Sequence, residues 1–310
     1  MRKSVLLFAF FVTILQMGFA QKKIPVNVGS FNIRYDNPHD GVNVWANRKE
    51  HVKALIQFHD FDIFGTQEAM FNQVNDIAQL QQYAWYGKGR DDGKQAGEHC
   101  AIFYKKDRFK LLECGDFWLS ETPDKPTIGW DSQVNKRVCS WGKFRDLSAK
   151  KEFYFFSVHF DNLGAVARRE SAKLMVVKIK EIAKDKPVIC VGDLNSTPET
   201  EQIATLETIL KDAYKVTEVP PYGPERTSSG FGYDPARERR MDSLFVAQAR
   251  RRAEENADNS APPRPRSRRI DYIFVSNKVK VLNYGVITDF YGQYSFPSDH
   301  FPIVSKVVIN

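Results

Sequence analysis

Polar residues that can catalyse hydrolysis occur in six short clusters along this chain of 310 residues. Hydrolysis of a phosphoester requires neutralisation of charge on the phosphoryl oxygens, alignment of an attacking water and assistance to the leaving oxygen. Each cluster adjoins a run of residues typical of a β-strand. The clusters contain Asn32, Glu68, His159 with Asp161, Asp193 with Asn195, Asp271, and Asp299 with His300. Because ligands gather at strand ends in layered α/β proteins, we predict that these side chains meet in one cleft.

Taken singly, these residues have simpler explanations. Asp193 and Asn195 are common turn residues, Glu68 suits the start of a helix, and a histidine such as His159 often ends a strand with its hydrogen bonds satisfied. A purely structural explanation must therefore treat six clusters as six coincidences. The joint pattern favours a catalytic site.

The order of the motifs along the chain resembles that in a known protein family. Asn32 is followed by Gln67-Glu68, His159, Gly192-Asp193-Leu194-Asn195, Asp271-Tyr272 and Ser298-Asp299-His300-Phe301-Pro302. This order resembles that of the endonuclease/exonuclease/phosphatase superfamily, from Val26 to Val308 apart from an Arg-rich insertion. Gly-Asp-Leu-Asn followed by Ser-Asp-His is the specific part of the match. The chain is more narrowly similar to exported bacterial members, which also carry Gly129-Trp130-Asp131 and Arg137 ahead of a Trp-containing strand.

The resemblance implies a fold and a metal site. The alternation of β-rich and helical runs itself predicts a layered α/β architecture, and the family implies a four-layer sandwich of two packed mixed β-sheets flanked by helices. Glu68 would be the principal ligand of Mg²⁺ or Mn²⁺, with Asn32 beside it and Asp299 contributing directly or through water. Such hard cations prefer oxygen ligands and keep several waters.

The resemblance also implies roles for the remaining polar residues. Asp193 and Asn195 would position the attacking water. His300, held by Asp271, would be a second base or a phosphate contact, since an acidic partner fixes the tautomer of an imidazole and favours its charged form. His159 would stabilise charge on a phosphoryl oxygen or protonate the leaving group. Family mechanisms differ in whether Asp193 or His300 accepts the proton, and the sequence leaves both open.

The acidic partner of His300 has two candidates. The stretch from Arg237 to Val246 echoes the stretch from Arg266 to Val275, which places Asp242 and Asp271 in equivalent positions. We predict that Asp271 has the role, because Tyr-Ile-Phe-Val after it predicts a strand, whereas Asp242 leads into Ala-Gln-Ala-Arg. Arg137 and Trp130 are predicted to contact the substrate.

The first twenty residues have the features of a secretory signal peptide. Arg2 and Lys3 precede an apolar run that ends in Gly18-Phe19-Ala20, and this run is shorter than the roughly 20 apolar residues that span a bilayer. We therefore expect cleavage after Ala20, secretion or release into the periplasm, and no stable membrane insertion afterwards. Residues 21–310 are expected to form one catalytic domain, a monomer, with an Arg/Pro-rich insertion at about 234–269.

The distribution of charge narrows the choice of substrate. The signal peptide contributes +2 of the net charge of +7 and the segment 234–269 contributes +4, which leaves +1 for the rest of the chain. A nearly neutral body favours a small phosphoester over a long nucleic acid. The first hypothesis is therefore a phosphodiesterase or phosphatase acting on a sugar, inositol or lipid-headgroup phosphoester. A secreted nuclease that uses the basic insertion as an arm is the alternative, and a non-catalytic binding protein is the third hypothesis.

The periodicity of apolar residues predicts the principal elements. A helix is expected from Ala165 to Lys184 with Leu174, Met175, Val177 and Ile182 inward, and another is expected to start at Thr197-Pro198. Two further helix and strand predictions bear on the site: a helix at 48–58 and a strand at 100–104. Export permits a disulfide, for which Cys100 and Cys139 are the candidates, whereas Cys190 has the surroundings of a buried thiol. The spacing of the four cysteines does not suggest zinc.

Overall fold

The computed structural model describes residues 24–231, 269–292 and 295–310. The predicted signal peptide lies outside these residues, as do Asp242 and all of the predicted insertion except Arg269. The described part of the chain has no helix with the length and apolar character needed to cross a bilayer.

The described residues form strands and helices in close alternation. The strands are β1 (Val26–Asn32), β2 (Ile63–Gln67), β3 (Tyr83–Tyr86), β4 (Ile102–Lys105), β5 (Phe109–Trp118), β6 (Val138–Asp146), β7 (Lys151–His159), β8 (Val188–Asp193), β9 (Lys211–Asp212), β10 (Asp271–Val275), β11 (Val279–Val286) and β12 (Ile303–Ile309). The helices are α1 (Trp45–Phe58), α2 (Phe71–Ala78), α3 (Ala165–Ala183), α4 (Glu201–Glu207) and α5 (Ala213–Val216), and a short 3-10 helix spans Gly41–Asn43.

The strands make two six-stranded mixed sheets. The first has the order β11-β12-β1-β2-β4-β3 and the second the order β5-β6-β7-β8-β10-β9. Within each sheet one central pair is parallel, β1 with β2 and β7 with β8, and the other pairs are antiparallel. Each parallel pair therefore ends at the same edge of its sheet.

Apolar side chains bury both faces of each sheet. Along β8, Ile189 and Val191 enter the core between the two sheets, while Val188 and Cys190 enter the core under α3 and α4. Consecutive residues of a strand point to opposite faces, so a strand that is covered on both sides must be apolar throughout. A third core packs α1 and α2 on the outside of the first sheet. The predicted sandwich of two mixed sheets flanked by helices is confirmed.

Several predicted elements differ in extent. Helix α4 begins at Glu201 after Thr200, three residues later than the Thr197-Pro198 signal indicated. In α3, Val177 is half exposed, whereas Ala172, Met175 and Ile179 are buried. These three lie three and four positions apart on one helix face, and Val177 lies off that face. The strand predicted at 100–104 begins only at Ile102, and the helix predicted at 48–58 starts at Trp45.

The suggestion of a disulfide between Cys100 and Cys139 is wrong. Cys139 lies in β6 of the second sheet, whereas Cys100 lies just before β4 of the first sheet. Both thiols are free and buried, as is the thiol of Cys190. The fold is therefore stabilised by apolar packing and buried polar contacts rather than by this cross-link.

A buried ion pair fixes the start of β10. The guanidinium of Arg269 donates to both carboxylate oxygens of Asp212 at 3.1 and 2.6 Å, and it lies 4.5 Å from the ring centres of Tyr214 and Tyr272. Burial raises the pKa of Asp212 although Arg269 opposes the rise, because desolvation is the larger effect. Desolvation therefore offsets much of the attraction within the pair, but removal of Asp212 would take the carboxylate partner away from a buried guanidinium.

We expect Asp212→Ala to lower the free energy of unfolding by about 3–5 kcal/mol, the usual cost of breaking a buried pair by removing one partner. Urea denaturation followed by circular dichroism measures this loss. The matched control is Asp185→Ala, which removes the carboxylate of the exposed pair between Lys278 and Asp185. Equal effects of the two substitutions would contradict the importance of burial at Asp212.

Candidate active site

The predicted site residues lie at one end of the two packed sheets. Asn32 is the last residue of β1, Glu68 follows β2, and His159 and Asp193 end β7 and β8. Asp271 begins β10, which runs antiparallel to β8, and so lies opposite Asp193. Asp299 and His300 precede β12, which is antiparallel to β1.

Two features of the sheets bring these strand ends close together. His159 and Asp193 are paired directly in the parallel register of β7 and β8. In β2, a Cβ atom on Gly65 would come within 2.6 Å of both Ser157 of β7 and Val191 of β8. Only glycine permits this approach of the two sheets, which places Glu68 beside the ends of β7 and β8.

The side chain of Asn32 joins the two sheets at the centre of the site. Its amide nitrogen donates to Glu68 Oε1 and to Asp193 Oδ2, each at 3.0 Å. The amide oxygen accepts from the backbone N–H of Arg34 at 3.0 Å, which fixes which end of the amide faces the carboxylates. Asn32 is fully buried.

Glu68 has the left-handed backbone conformation, with φ of 60°. Its Oε1 accepts from Asn32, and its Oε2 accepts from the backbone N–H of Tyr35 at 3.2 Å. A non-glycine residue in this conformation is held there by its surroundings. The carboxylate therefore has both oxygens oriented by hydrogen bonds.

His300 contacts two carboxylates. Its Nδ1 lies 2.9 Å from Asp271 Oδ2, and its Nε2 lies 3.8 Å from Asp193 Oδ2. Burial lowers the pKa of His300, but the attraction of Asp271, Asp193 and Asp299 outweighs it and holds the pKa well above the usual range. Burial and the nearby Asp271 carboxylate raise the pKa of Asp193.

His159 has different surroundings. Burial, together with the positive charges of Arg137 and Arg90, holds its pKa well below the usual range, so the imidazole is neutral. A neutral imidazole has a ring nitrogen that can accept from the Arg137 guanidinium, which lies 3.0 Å from Nδ1 and 3.2 Å from Nε2. The 3.6 Å approach of His159 to Asp193 is therefore not an ion pair. Asn195 Nδ2 lies 3.1 Å from His159 Nε2.

Asp299 lies at the more open side of the site. Its carboxylate is 3.8 Å from the guanidinium of Arg34, which is itself held by both carboxylate oxygens of Asp40. Burial raises the pKa of Asp299, and repulsion from Glu68 adds to the rise. The positive charges of His300, Arg34 and Arg48 oppose this rise.

The donor set fits a hard divalent cation. Ligand atoms of Glu68, His159 and Asp193 all lie within 4.8 Å of one another, as do those of Asp193, Asp271 and His300. Burial disfavours the ionised form of Asp193 at the centre of both groups, and a cation would relieve that cost.

The two predicted substrate contacts differ in position. Arg137 is buried within the site and also bonds Asp161 and Asn162. Trp130 packs against the apolar core under α3, and its backbone N–H donates to Glu121. The neighbouring Asp131 accepts from two N–H groups in the first turn of α3, so packing and helix capping account for this segment.

Sequence reasoning missed Glu98 and Arg90. Glu98 Oε2 lies 2.6 Å from Arg90, 3.9 Å from Arg137 and 3.8 Å from His159 Nδ1. Both missed residues lie in the loop between β3 and β4, away from any strand end that carries a motif. The sequence signal available for them was the group of glycines, Gly89, Gly93 and Gly97, which marks a tightly folded loop.

Solved structures similar to this chain come from bacteria and animals. An endonuclease/exonuclease/phosphatase family protein of Bacteroides thetaiotaomicron is 38% identical, with a TM-score of 0.79 over 93% of this chain and 99% of that chain. A mannosyl-6-phosphatase of Bacteroides thetaiotaomicron VPI-5482 is 39% identical, with a TM-score of 0.78 over 92% of this chain and 100% of that chain. The human Nocturnin catalytic domain, at 18% identity and a TM-score of 0.63 over 92% and 94% of the two chains, shares the fold.

Sequence comparison gives the family. A protein of Acanthamoeba polyphaga mimivirus is 28% identical over 162 residues, 49% of this chain, and the match spans 59% of that relative's length. The sequence model of the Endonuclease/Exonuclease/phosphatase family matches residues 29–300, a range that includes all six motif clusters. The chain therefore belongs to the Endonuclease/Exonuclease/phosphatase family.

Proposed function

We propose that this chain is an exported, divalent-metal-dependent phosphoester hydrolase that acts on a small phosphoester. The observation that carries the proposal is the double hydrogen bond of Asn32, which joins Glu68 of the first sheet to Asp193 of the second. A metal ligand and a group able to orient water are thereby brought within reach of one phosphoryl group.

Glu68, Asn32 and Asp299 would hold Mg²⁺ or Mn²⁺ in this proposal, and Asn32 would do so with the second lone pair of the amide oxygen that also accepts from the Arg34 N–H. The metal would supply positive charge to the phosphoryl oxygens as negative charge develops there. Both oxygens of Glu68 are already oriented, by Asn32 and by the Tyr35 N–H. A ligand oriented in this way loses little freedom when it binds the cation.

Asp193 and Asn195 would orient the attacking water. The Asn195 N–H donates to Asp193 Oδ1 at 2.9 Å, which leaves Oδ2 facing Asn32, His159 and His300. Asp193 would accept the proton of the water, because the raised pKa of His300 favours the charged imidazolium, whose two ring nitrogens are both donors. Because Asp271 occupies Nδ1 of His300, only Nε2 of that imidazole faces the site.

His159 and Arg137 would contact the phosphoryl oxygens or the leaving oxygen. The guanidinium of Arg137 lies 3.0 Å from His159 Nδ1 and is held by Asp161 and Asn162. Arg137 can therefore supply positive charge without moving. Trp130 remains a predicted substrate contact.

A sugar phosphate is the first substrate class to test. Outside residues 1–20 and 234–269 the chain has a net charge of only +1, which gives little attraction for the long backbone of a nucleic acid. The mannosyl-6-phosphatase similarity, which spans that protein's whole chain, supports the same choice. We therefore place mannose 6-phosphate ahead of phosphodiesters.

A substrate panel tests the proposal. The full chain is assayed for phosphate release from mannose 6-phosphate and glucose 6-phosphate, for cleavage of bis(p-nitrophenyl) phosphate, and for nicking of plasmid DNA. Each assay is run with Mg²⁺, with Mn²⁺ and with excess chelator. We expect turnover of a small phosphoester that the chelator removes and either metal restores.

The other outcomes identify the alternatives. Plasmid nicking that falls steeply with added salt would favour the secreted nuclease. Binding of a phosphoester without turnover under any condition would favour a non-catalytic protein. Activity that survives the chelator unchanged would contradict the metal requirement.

Export is part of the proposal because of the N-terminal segment. We expect the mature protein to begin at Gln21, since small residues precede that position. N-terminal sequencing of protein from the producing cells measures the start directly. A chain that retains Met1 and remains in the cytoplasm would contradict this part.

A further inference from the structure

We propose that Arg48 of α1 and Gln73 of α2 are positioning residues that hold one backbone turn, residues 33–36. By holding this turn they set the affinity of the site at Glu68 and Asn32 for the divalent cation. Neither residue is one of the predicted ligands or catalytic groups. The inference rests on the metal site of the proposed function. We call residues 33–36 the Arg34 turn.

Both side chains are completely buried and bond the Arg34 turn. Gln73 Oε1 accepts from the N–H groups of Asp36 and Met70 at 2.9 and 3.0 Å, and its Nε2 donates to the carbonyl of Arg34 at 2.8 Å. Arg48 donates to the carbonyls of Ile33 and Arg34 at 2.8 and 3.2 Å. The two side chains therefore meet on one carbonyl oxygen, that of Arg34.

The other side of the same peptide groups faces the metal ligands. The peptide group that offers the Ile33 carbonyl to Arg48 donates its N–H, that of Arg34, to Asn32 Oδ1 at 3.0 Å. The next peptide group offers the Arg34 carbonyl to Gln73 and Arg48 and donates its N–H, that of Tyr35, to Glu68 Oε2 at 3.2 Å. Because a peptide group is rigid and planar, fixing its carbonyl also fixes its N–H.

The Arg34 turn needs such support. Arg34 has φ of 58°, a conformation that a non-glycine residue keeps only when its surroundings hold it there. If the turn relaxed, the N–H of Tyr35 would leave the Glu68 carboxylate and the N–H of Arg34 would release the Asn32 amide. Two ligands would then lose their orientation together.

Arg48 also reaches the third ligand segment. Its guanidinium donates to the carbonyl of Pro297 at 2.7 Å, two residues before Asp299. The next residue, Ser298, donates its hydroxyl to the carbonyl of Asn32 at 2.7 Å. Among the described residues, none of the ion pairs includes Arg48. The buried guanidinium donates to backbone carbonyls instead, one of them that of Asn43 before α1 and the others in the ligand-bearing segments.

The test measures Mn²⁺ binding directly, by electron paramagnetic resonance of free Mn²⁺ in titrations of the full chain. Gln73→Met keeps the side-chain length and removes all three hydrogen bonds, whereas Arg48→Lys keeps the buried charge and removes the fork of donors. We expect each variant to bind Mn²⁺ about 10- to 100-fold more weakly, the usual effect of losing a group that orients a ligand. Saturating Mn²⁺ is expected to restore most of kcat.

The matched control is Ile77→Ala in the same helix α2, which removes a buried side chain from the core on the first sheet. It should lower Tm and leave the Kd for Mn²⁺ unchanged. In the double variant Gln73→Met with Arg48→Lys, the fold-loss of Mn²⁺ affinity should be smaller than the product of the two single fold-losses. The reason is that both side chains act on the same carbonyl. If Gln73→Met does not fold, the Mn²⁺ affinity of Arg48→Lys tests the proposal by itself.

Three results would overturn the inference. The first is a Kd for Mn²⁺ that is unchanged in both single variants. The second is a loss of affinity in Ile77→Ala as large as theirs. The third is a wild-type chain that binds no Mn²⁺, which would remove the metal site of the proposed function itself. If only the roles of Arg48 and Gln73 were wrong, the wild-type chain would still bind Mn²⁺.

Discussion

Asp193→Asn is expected to lower kcat by about 10²- to 10⁴-fold, the usual contribution of a general base, while the chain still binds Mn²⁺. The substitution keeps the size of the side chain and removes its negative charge. Asp193 Oδ2 is the atom that faces Asn32, His159 and His300, so the charge is lost where a water would be oriented. Steady-state kinetics give kcat, and Mn²⁺ titration gives the Kd.

The matched comparison is Glu68→Gln, which removes the charge of the principal predicted ligand. It should weaken Mn²⁺ binding strongly, and high Mn²⁺ should recover part of its activity. Asp193→Asn should show neither effect. If Asp193→Asn weakens Mn²⁺ binding as much as Glu68→Gln does, Asp193 is a ligand, and the cation lies among Glu68, His159 and Asp193.

The site could be predicted from the sequence because its residues occur at the ends of apolar strands. The runs that form β1, β7 and β8 are recognisable, and each is followed within two residues by a polar group. Parallel pairing of β7 with β8 then brings His159 and Asp193 to the same edge. The order of motifs along the chain gave the family, and with it the expectation that the two sheets face one another.

The residues around the site could not be predicted in the same way. Arg48 and Gln73 lie on helices whose sequences do not single these residues out, and their hydrogen-bond partners are backbone carbonyl and N–H groups, which carry no sequence signal. Arg48 and Pro297, which are hydrogen-bonded, are 249 positions apart. Glu98 likewise gains its importance only when the loop that carries it folds against Arg137 and His159.

The prediction of helix boundaries and of buried helix faces was limited because the local sequence fits more than one arrangement. Thr197-Pro198 is a good helix start by residue type, yet Thr200 precedes the helix because the chain turns first after Ser196. Val177 is apolar and still half exposed, since the buried face of α3 is made by small residues such as Ala172 as well as by Met175. Apolar character alone does not show which side of a long helix meets the sheet.

Asp271→Asn is expected to lower kcat by about 10²- to 10⁴-fold, whereas Asp242→Asn should leave kcat unchanged. The Asp271 carboxylate lies 2.9 Å from His300 Nδ1 and therefore fixes the orientation of the ring and favours its charged form. It also raises the pKa of His300, more than either Asp193 or Asp299 does, so its removal should lower that pKa. A two-dimensional NMR titration of the His300 ring measures the shift.

The two aspartates follow equivalent Arg-rich stretches, so the comparison controls for local sequence. The structure describes Asp271 in β10 beside Asp193, and Asp242 lies outside the described residues. If Asp242→Asn abolished turnover while Asp271→Asn retained it, the second copy of the motif would be the partner of His300. In that case the contact at 2.9 Å would be structural, and β10 would serve only to close the second sheet.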